Sequence, residues 1–286
     1  MRQINYNKPF HRSGLAALSD LQTPEWKELF QLLEKEQQFF LSKEKLFRSA
    51  EYKWPRDPLH TWSRVWEYPY VYYHLKEWRK KEKCAHLPVV VDFGSGVTFF
   101  PFAVAKLGYH VICIDNDPIC ERDMQQAISV VPHSPGKVEF CLNRGMSIPL
   151  QDNYADIIYS ISVLEHIPGF PEVIAEMARV LKDNGVLILT VDLDLGGHSE
   201  MRVERFYLLK NELWRHFFYI YPETTIHPAD LLKSDSGPHG LKKPNGIKFL
   251  KFILKQRVIK PLLRMKPEPM IPFYLSVFGC VMSRCG

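Results

Sequence analysis

The sequence lacks any apolar run long enough to cross a bilayer, and its first residues lack the apolar stretch of a secretory signal. Its six cysteines are scattered, with no CxxC pair and no cysteine–histidine spacing typical of a zinc site. We therefore expect a cytoplasmic protein with reduced thiols, without a transmembrane segment and without a bound metal.

Acidic residues are nearly absent from residues 241–286, which hold ten Lys or Arg and a single Glu. Residues 1–86 carry a net charge of +5 and residues 87–240 one of −9, so the overall +5 averages an acidic centre between two basic flanks. The segment 242–266 has nine Lys or Arg, no acid, and apolar residues near helical spacing. Three interpretations stay open: a solvated surface helix, which is the commonest case, an interfacial membrane helix, or a patch for an anionic acceptor or nucleic acid.

Residues 1–86 are rich in aromatic side chains, with 16 of the 37 in the chain and five of its six tryptophans. Thr23 followed by Pro24 predicts the start of a helix, and a second helix is predicted from about Tyr70 to Lys83. We interpret residues 1–86 as an aromatic-rich helical extension that forms a lid over a binding site. The alternative is that its rings only pack the extension against the rest of the protein.

From residue 87 to about residue 194, short β-branched runs alternate with helical patterns. Strands are predicted at 88–93, 109–115, 137–142, 155–161, 185–194 and 273–283. The runs of Val, Ile and Leu are continuous rather than alternating, which predicts strands buried on both faces of a parallel sheet. The predicted fold class is therefore α/β with a doubly wound sheet, and residues 87–286 are predicted to form one ligand-binding domain that includes the basic amphipathic segment 241–266.

The strongest signal for a ligand is the turn Asp92-Phe93-Gly94-Ser95-Gly96, between a predicted strand and a predicted helix. Glycines here let the backbone approach a ligand closely, and the helix N-terminus points at it. Asp115 ends the next strand, 21 residues after Gly94, and this spacing suits a carboxylate that binds both hydroxyls of a ribose. Phe99 and Phe100 occupy the place where a dinucleotide-binding turn needs a small residue, which argues against a dinucleotide.

Over about residues 87–194, the chain resembles the class I S-adenosylmethionine-dependent methyltransferases. The resemblance depends on these motifs and on three further segments, CIDNDP, SIPLQDNYADIIYSISVLEHIP and EMARVLKDNGVLILTV. The resemblance implies S-adenosyl-L-methionine as cofactor and a seven-stranded Rossmann-like methyltransferase sheet. It also implies the strand order 3-2-1-4-5-7-6 with an antiparallel seventh strand, for which residues 273–283 are the candidate.

The resemblance assigns cofactor contacts residue by residue. Four residues would surround the methionine moiety: Asp92, Gly94, Ser95 and Gly96. Asp115 would bind the ribose, and Asn116 would lie along the adenine. Asn143 stands where related enzymes often have an acid for the adenine amine, and Met146 is expected to pack on the ring. Residues Ser160 to Ser162, at the end of the fourth strand, would face the methionine end and the methyl group.

Two residues are candidates for catalysis, because both follow strands at the end of the sheet where ligands bind. His166 in VLEHIP is a candidate general base, and the alternative is that the Glu-His pair only orients its loop. Asp192 is a candidate for a substrate contact or for orienting a base, and the alternative is a solvated loop. Tyr70, Tyr73 and His198 are weaker candidates for contacts with the acceptor.

These observations predict a methyltransferase that acts on an O or N atom of a small molecule, either a secondary metabolite or a sugar or glycolipid intermediate. No Asn-Pro-Pro-Tyr-type motif follows the fourth strand, where the chain reads Ser-Ile-Ser-Val, so nucleic acid is not expected as a substrate. Two alternatives are a peripheral membrane methyltransferase of a lipid-linked acceptor and a catalytically silent cofactor-binding protein. The oligomeric state stays open.

Overall fold

A computed structural model describes residues 8–82, 86–197, 201–241 and 275–285, together with 246, 250–251, 254–255 and 260–262. Its strands are β1 (Ser13–Leu15), β2 (Val89–Phe93), β3 (His110–Asp115), β4 (Lys137–Leu142), β5 (Ala155–Ile161), β6 (Leu181–Asp194), β7 (Phe217–Tyr219), β8 (Glu223–Thr224) and β9 (Leu275–Arg284). Its helices are α1 (Pro24–Lys43), α2 (Arg64–Lys81), α3 (Phe100–Ala105), α4 (Pro118–Val130), α5 (Phe170–Val180), α6 (Val203–His216) and the short α7 (Lys260–Leu262).

The nine described strands form one sheet. Strands β4, β3, β2, β5 and β6 are neighbours in that order and parallel, and β9 pairs antiparallel with β6. Strand β7 pairs with the C-terminal end of β9, and β1 pairs with its middle, so both lie beside β9 on the side away from β6. The doubly wound α/β fold and the antiparallel final strand are confirmed. Strands β1 and β8 extend the sheet beyond the predicted seven strands.

The sheet is buried on both faces because its central strands carry apolar residues at consecutive positions. On β2, Val90 packs into a core shared with helices α1 to α4, whereas Val91 packs into a second core shared with α5 and α6. The side chains of a strand point alternately to opposite faces, so a continuous apolar run fills both cores. Each fully buried residue of this size stabilises the fold by about 1.5–3 kcal/mol.

Helix α2 begins at Arg64, so the predicted start near Tyr70 is wrong by six residues. The helix contains Pro69, which has no N–H to donate to the carbonyl of Val65, four residues earlier. That carbonyl instead accepts a hydrogen bond from the indole Nε1 of Trp26 at 2.7 Å. Helix α1 therefore satisfies the backbone group that the proline leaves open, and α2 continues through it.

Helix α2 packs through its tryptophan and tyrosine rings against the face of the sheet that also contacts α1, α3 and α4. Trp66 stacks on Tyr70 with ring centroids 4.4 Å apart, and its Nε1 donates to buried Asp20 at 2.8 Å. Both rings lie against Gly279 of β9. Because β1 also joins the sheet, the extension and the sheet share one apolar core, while the division at residue 86 stays a prediction.

The basic segment 242–266 falls mostly outside the described residues, so its predicted helix stays a prediction. Three of its described leucines are exposed, Leu250, Leu254 and Leu262. Among the helices that the structure describes, none combines the length and the apolar character needed to cross a membrane.

Replacement of Gly279 by valine is expected to destabilise the protein by about 1–3 kcal/mol, the usual cost of overpacking a core. A Cβ at this position would lie 2.8 Å from Cη2 of Trp66 and 3.0 Å from Tyr70, so both rings would have to move. Urea unfolding measures the effect. Gly145→Val is the matched control, because a Cβ there meets no atom within 4 Å. Equal stability of the two variants would contradict the packing of α2 on β9.

Candidate functional site

A cavity of about 760 Å³ opens at the carboxyl ends of β2, β3, β5 and β6. Ligand sites in open α/β sheets lie at this end, and their volumes are typically about 300–1,000 Å³. The cavity is lined by the loops that follow these strands and by residues 52–68 of the extension. Several of the lining side chains are aromatic: Tyr52, Trp54, Trp62, Tyr68, Phe93 and Phe100.

The glycine-rich turn after β2 forms one wall. Gly94 has φ of +79°, and a Cβ there would lie 2.4 Å from Cγ2 of Val163. Gly96 has φ of +53° and lines the cavity directly. Only glycine accepts both the left-handed backbone and the close approach of Val163 at position 94. Within the protein, the glycine at 94 is therefore required by its backbone conformation and by Val163, while the predicted close approach to a ligand stays a prediction.

Two carboxyl groups flank this turn. Asp115 is held in place because its Oδ2 accepts from the backbone N–H of Gly96 at 2.9 Å and its Oδ1 from that of Asp117 at 3.0 Å. Burial, together with the neighbouring charge of Asp115, raises the pKa of Asp92 to about 8. Burial also raises the pKa of Asp115. Asp92 therefore keeps its proton at neutral pH and can donate as well as accept a hydrogen bond, while Asp115 presents oxygen lone pairs to the hydroxyl groups of a ligand.

The other predicted cofactor residues divide into two groups. Ser95, Asn116, Asn143 and Met146 line the same cavity as Asp92, Gly94, Gly96 and Asp115. The structure corrects the placement of Ser160, which is fully buried and donates its hydroxyl to the carbonyl of Phe93 at 3.1 Å. This residue still lies within β5, against β2. Ser162, the second residue after it, lies beyond the strand with φ of +49° and lines the cavity.

The structure also corrects the acceptor contacts predicted on α2. Tyr70 donates its hydroxyl to the carbonyl of Arg12 at 2.9 Å, and the Tyr73 hydroxyl pairs with Nε2 of His11, so neither lines the cavity. Both belong to the face of α2 that packs on the N-terminal segment. Arg64 and Tyr68, one helical turn apart, are the α2 residues in the cavity wall. His198 lies outside the described residues.

The segment before α2 covers the glycine-rich turn. The Tyr52 hydroxyl accepts from the backbone N–H of Val97 at 3.2 Å, and Nη2 of Arg48 donates to the carbonyl of Val97 at 2.6 Å. The Arg48 guanidinium lies over the Tyr52 ring, 4.9 Å from its centroid. These contacts fix the chain at the point where residues 52–68 enter the cavity wall. The interpretation of the extension as a lid stays a prediction.

A buried carboxylate on α2 lies beneath this wall. Glu67 is fully buried, and its Oε1 accepts from the Ser162 hydroxyl at 2.7 Å and from the Thr190 hydroxyl at 2.6 Å. Glu67 also forms an ion pair with Arg64. These contacts join α2 to the end of β5 and to β6. They also hold Arg64, whose Nη1 donates to Ser162 Oγ at 2.7 Å.

Asp192 stands on the other side of Ser162. Its Oδ1 lies 3.4 Å from Ser162 Oγ, and its backbone N–H donates to Glu165 Oε1 at 3.0 Å. Burial raises the pKa of Asp192 well above its usual range, and the charges of Glu67 and Glu165 raise it further. Burial likewise raises the pKa of Glu165 to about 7. A carboxyl group with a raised pKa in a cavity wall is suited to accept a proton near neutral pH.

His166, the other candidate base, ends the short helical turn Leu164–His166 and is exposed at the rim of the cavity. Among the residues that the structure describes, no group of three or more His, Cys, Asp or Glu side chains is arranged to hold a metal ion. Arg64 and Glu67 were not predicted from the sequence to belong to the site. A signal for both was present, because they are the only charged residues between Asp57 and Lys76 and stand three apart on a helix.

Glu165→Gln is expected to stabilise the protein more at pH 8 than at pH 5, by roughly 2 kcal/mol. The pKa of Glu165 is about 7 when folded and near 4.5 when unfolded, so the folded state binds more protons between these values. Stability therefore falls as the pH rises through that window, and glutamine removes this loss. Urea unfolding at both pH values measures it, with exposed Glu28→Gln as control. A pH-independent difference would contradict the buried carboxyl group.

Residues 91–189 match a family model described as a methyltransferase domain. An uncharacterized methyltransferase of Mycobacterium leprae (strain TN) is 33% identical over 114 residues, or 39% of this chain and 40% of that protein. One of Mycobacterium ulcerans (strain Agy99) is 33% identical over 119 residues, or 41% of this chain and 45% of that protein. The chain thus spans less than half the length of these curated relatives.

Among solved structures, the 4+2-cyclase SpnF is similar with a TM-score of 0.51 and 15% sequence identity, over 95% of this chain and 98% of that chain. The likeness concerns the fold. One fold hosts many chemistries, so the reaction depends on the residues that line the cavity and not on the fold alone.

Proposed function

We propose that this chain is a class I S-adenosylmethionine-dependent methyltransferase that methylates an O or N atom of a small molecule, which the match of residues 91–189 to a methyltransferase domain supports. The observation that carries the proposal is the position of Asp192, a buried carboxyl group in the cavity wall that also contains the glycine-rich turn. A secondary metabolite or a sugar or glycolipid intermediate is the proposed acceptor class, since the cavity combines aromatic walls with hydroxyl, amide and carboxyl groups that can bind polar substituents.

The residues of the turn fit S-adenosylmethionine, the cofactor of this superfamily. Gly94 and Gly96 line the cavity with backbone that carries no side chain, and Asp115 is fixed with oxygen lone pairs available to ribose hydroxyls. Asp92 would lie near the methionine moiety. Asn143 and Met146 line the part of the cavity after β4, where the adenine would lie. The turn has Phe99 and Phe100 where a pyrophosphate-binding turn needs its third small residue, so a dinucleotide is not expected.

When bound, the cofactor supplies an electrophilic methyl group, so the protein mainly has to position the acceptor and take up its proton. Asp192 is the proposed base. A carboxylate oxygen of Asp192 would take up the proton that the acceptor loses when it is methylated. The backbone N–H of Asp192 donates to Glu165 Oε1 at 3.0 Å, which fixes the position of this residue in the cavity wall. His166, exposed at the rim, is the second candidate for the same role.

We further propose that the protein acts in the cytoplasm. The five cysteines that the structure describes are free thiols, as is usual in a reducing compartment. The alternative of a lipid-linked acceptor at a membrane surface depends on the basic segment 242–266, which lies mostly outside the described residues.

Asp192→Asn is expected to lower methyl transfer by about 10²–10⁴-fold, because asparagine cannot accept the proton. Transfer from labelled S-adenosylmethionine to a metabolite extract measures the rate, and isothermal titration shows whether the cofactor still binds. The wild-type rate should rise with pH and level off above the raised pKa of Asp192. Asp183→Asn, at an exposed carboxylate, is the matched control.

Undiminished methyl transfer by Asp192→Asn would exclude this residue as the base. A large loss of transfer in His166→Ala alone would indicate that His166, at the rim of the cavity, is the base. Failure of the wild type to bind S-adenosylmethionine would contradict the proposed function as a whole. Binding without transfer to any component of the extract would favour the catalytically silent alternative.

A further inference from the structure

One end of the cavity lies away from the glycine-rich turn, beside the proposed base. The predicted cofactor residues that line the cavity lie at the ends of β2, β3 and β4, whereas Asp192 lies on β6, on the other side of β5. Strand β9 pairs with β6, and its first residue, Leu275, lies opposite Asp194. Leu275, Leu241 and His239 line the cavity here, in a part that we call the β9 end.

Backbone hydrogen bonds fix the segment that carries His239. The N–H of Ser234 donates to the carbonyl of Leu275 at 2.9 Å, and the N–H of Leu241 donates to the carbonyl of Ser234 at 2.6 Å. The segment therefore starts and ends beside the first residue of β9. Gly237, with φ of +79°, lets the chain turn back between these two anchors. His239 is thus placed in the cavity wall before any ligand binds.

The imidazole of His239 packs on the extension and leaves both of its nitrogens unused. Its ring lies edge-to-face on that of His60, with centroids 5.1 Å apart. The nitrogens of His60 are occupied, because Nδ1 pairs with Asp57 at 2.8 Å and Nε2 with Glu34 at 3.2 Å. His239 is half-buried, and its imidazole has no hydrogen-bond partner among the residues that the structure describes. His239 can therefore hydrogen-bond to a ligand, whereas His60 cannot without giving up a carboxylate.

The two imidazoles differ in their tendency to carry charge. Burial lowers the pKa of His60, but the hydrogen bonds to Asp57 and Glu34 outweigh burial, so the net shift is upward. Burial lowers the pKa of His239 and the charge of His60 lowers it further, although Asp57 and Glu34 act in the opposite direction. A neutral imidazole has one N–H donor and one nitrogen acceptor. At neutral pH His239 therefore matches a hydroxyl group, which also both donates and accepts.

The surroundings favour an apolar ligand with a hydroxyl group over an anionic ligand. Leu241 and Leu275 line the cavity beside the segment of His239, and Pro58 and Trp62 line it from the extension. The charge of a protonated His60 is compensated by its two carboxylate partners. This part of the cavity therefore offers an anion no net positive charge.

We propose that His239 binds a hydroxyl group of the acceptor, at a distance from the atom that is methylated, an inference that rests on the proposed function. The reacting atom of the acceptor faces Asp192, and the hydroxyl group lies at the β9 end. The acceptor is then a largely apolar molecule with at least two polar groups, of which one is methylated and another is held by His239.

The first test uses protein saturated with S-adenosylhomocysteine and compares benzyl alcohol with toluene by NMR titration, since these probes differ in the hydroxyl group. His239→Phe keeps a ring against His60 but cannot hydrogen-bond, so the affinity ratio of benzyl alcohol to toluene falls about fivefold. His239→Asn keeps a donor and an acceptor and holds this ratio within about twofold of the wild type. His227→Asn, at an exposed histidine, is the matched control and leaves the ratio unchanged.

The second test measures methyl transfer over a dilution series of one metabolite extract at saturating S-adenosylmethionine. His239→Phe raises the half-saturating amount of extract about fivefold, while the plateau rate and the Kd of S-adenosylhomocysteine change less than about twofold. The proposal is overturned if the wild type binds neither probe, or if His239→Phe matches the wild type in the first test, since ring packing alone then accounts for His239. Failure of the wild type to bind S-adenosylhomocysteine contradicts instead the proposed function.

Discussion

The buried carboxylate of Glu67 is the interaction on which the candidate site depends. A charge in a protein interior is tolerated only when it is paired and hydrogen-bonded. Glu67 meets this requirement through Arg64 on its own helix, Ser162 beyond β5 and Thr190 on β6. Because each partner belongs to a different part of the chain, satisfying this one group fixes α2 over the carboxyl ends of the central strands.

This arrangement has consequences for the neighbouring groups. Ser162 has one hydroxyl proton, and its shorter contact is to Glu67, at 2.7 Å compared with 3.4 Å to Asp192. Asp192 therefore receives little help in stabilising its charge, and burial with the charges of Glu67 and Glu165 raises its pKa. The same contacts hold Arg64 in the cavity wall. One buried acid thus helps to position both the proposed base and the arginine of the cavity wall.

Much of the fold was predictable because its cause is local. Continuous β-branched runs such as Val89–Phe93 indicate strands buried on both faces, and the glycines at 94 and 96 indicate a close backbone approach. Strand β1 was not predictable, because three residues carry no periodicity, and its pairing with β9 joins segments far apart in the sequence.

The candidate site was harder to predict because its residues depend on where elements begin and end. A helix predicted to begin at Tyr70 does not include Arg64, so the sequence offered no reason to assign Arg64 to the cavity. The helix begins earlier and continues through Pro69, and Trp26 satisfies the Val65 carbonyl that the proline leaves open. The sequence assigned Ser160 to Ser162 to the methionine end together, whereas Ser160 lies inside β5 and Ser162 lines the cavity. Which tyrosines of α2 face the ligand depends on the same helical phase.

The most direct measurement of the central claim is a crystal structure of the complex with S-adenosylhomocysteine. We expect the ribose hydroxyls to hydrogen-bond to Asp115, and the sulfur to face the side of the cavity formed by Ser162 and Asp192. The acceptor would then occupy the space between the sulfur and Asp192. A sulfur that faces away from Asp192, or a ligand bound outside this cavity, would contradict the account.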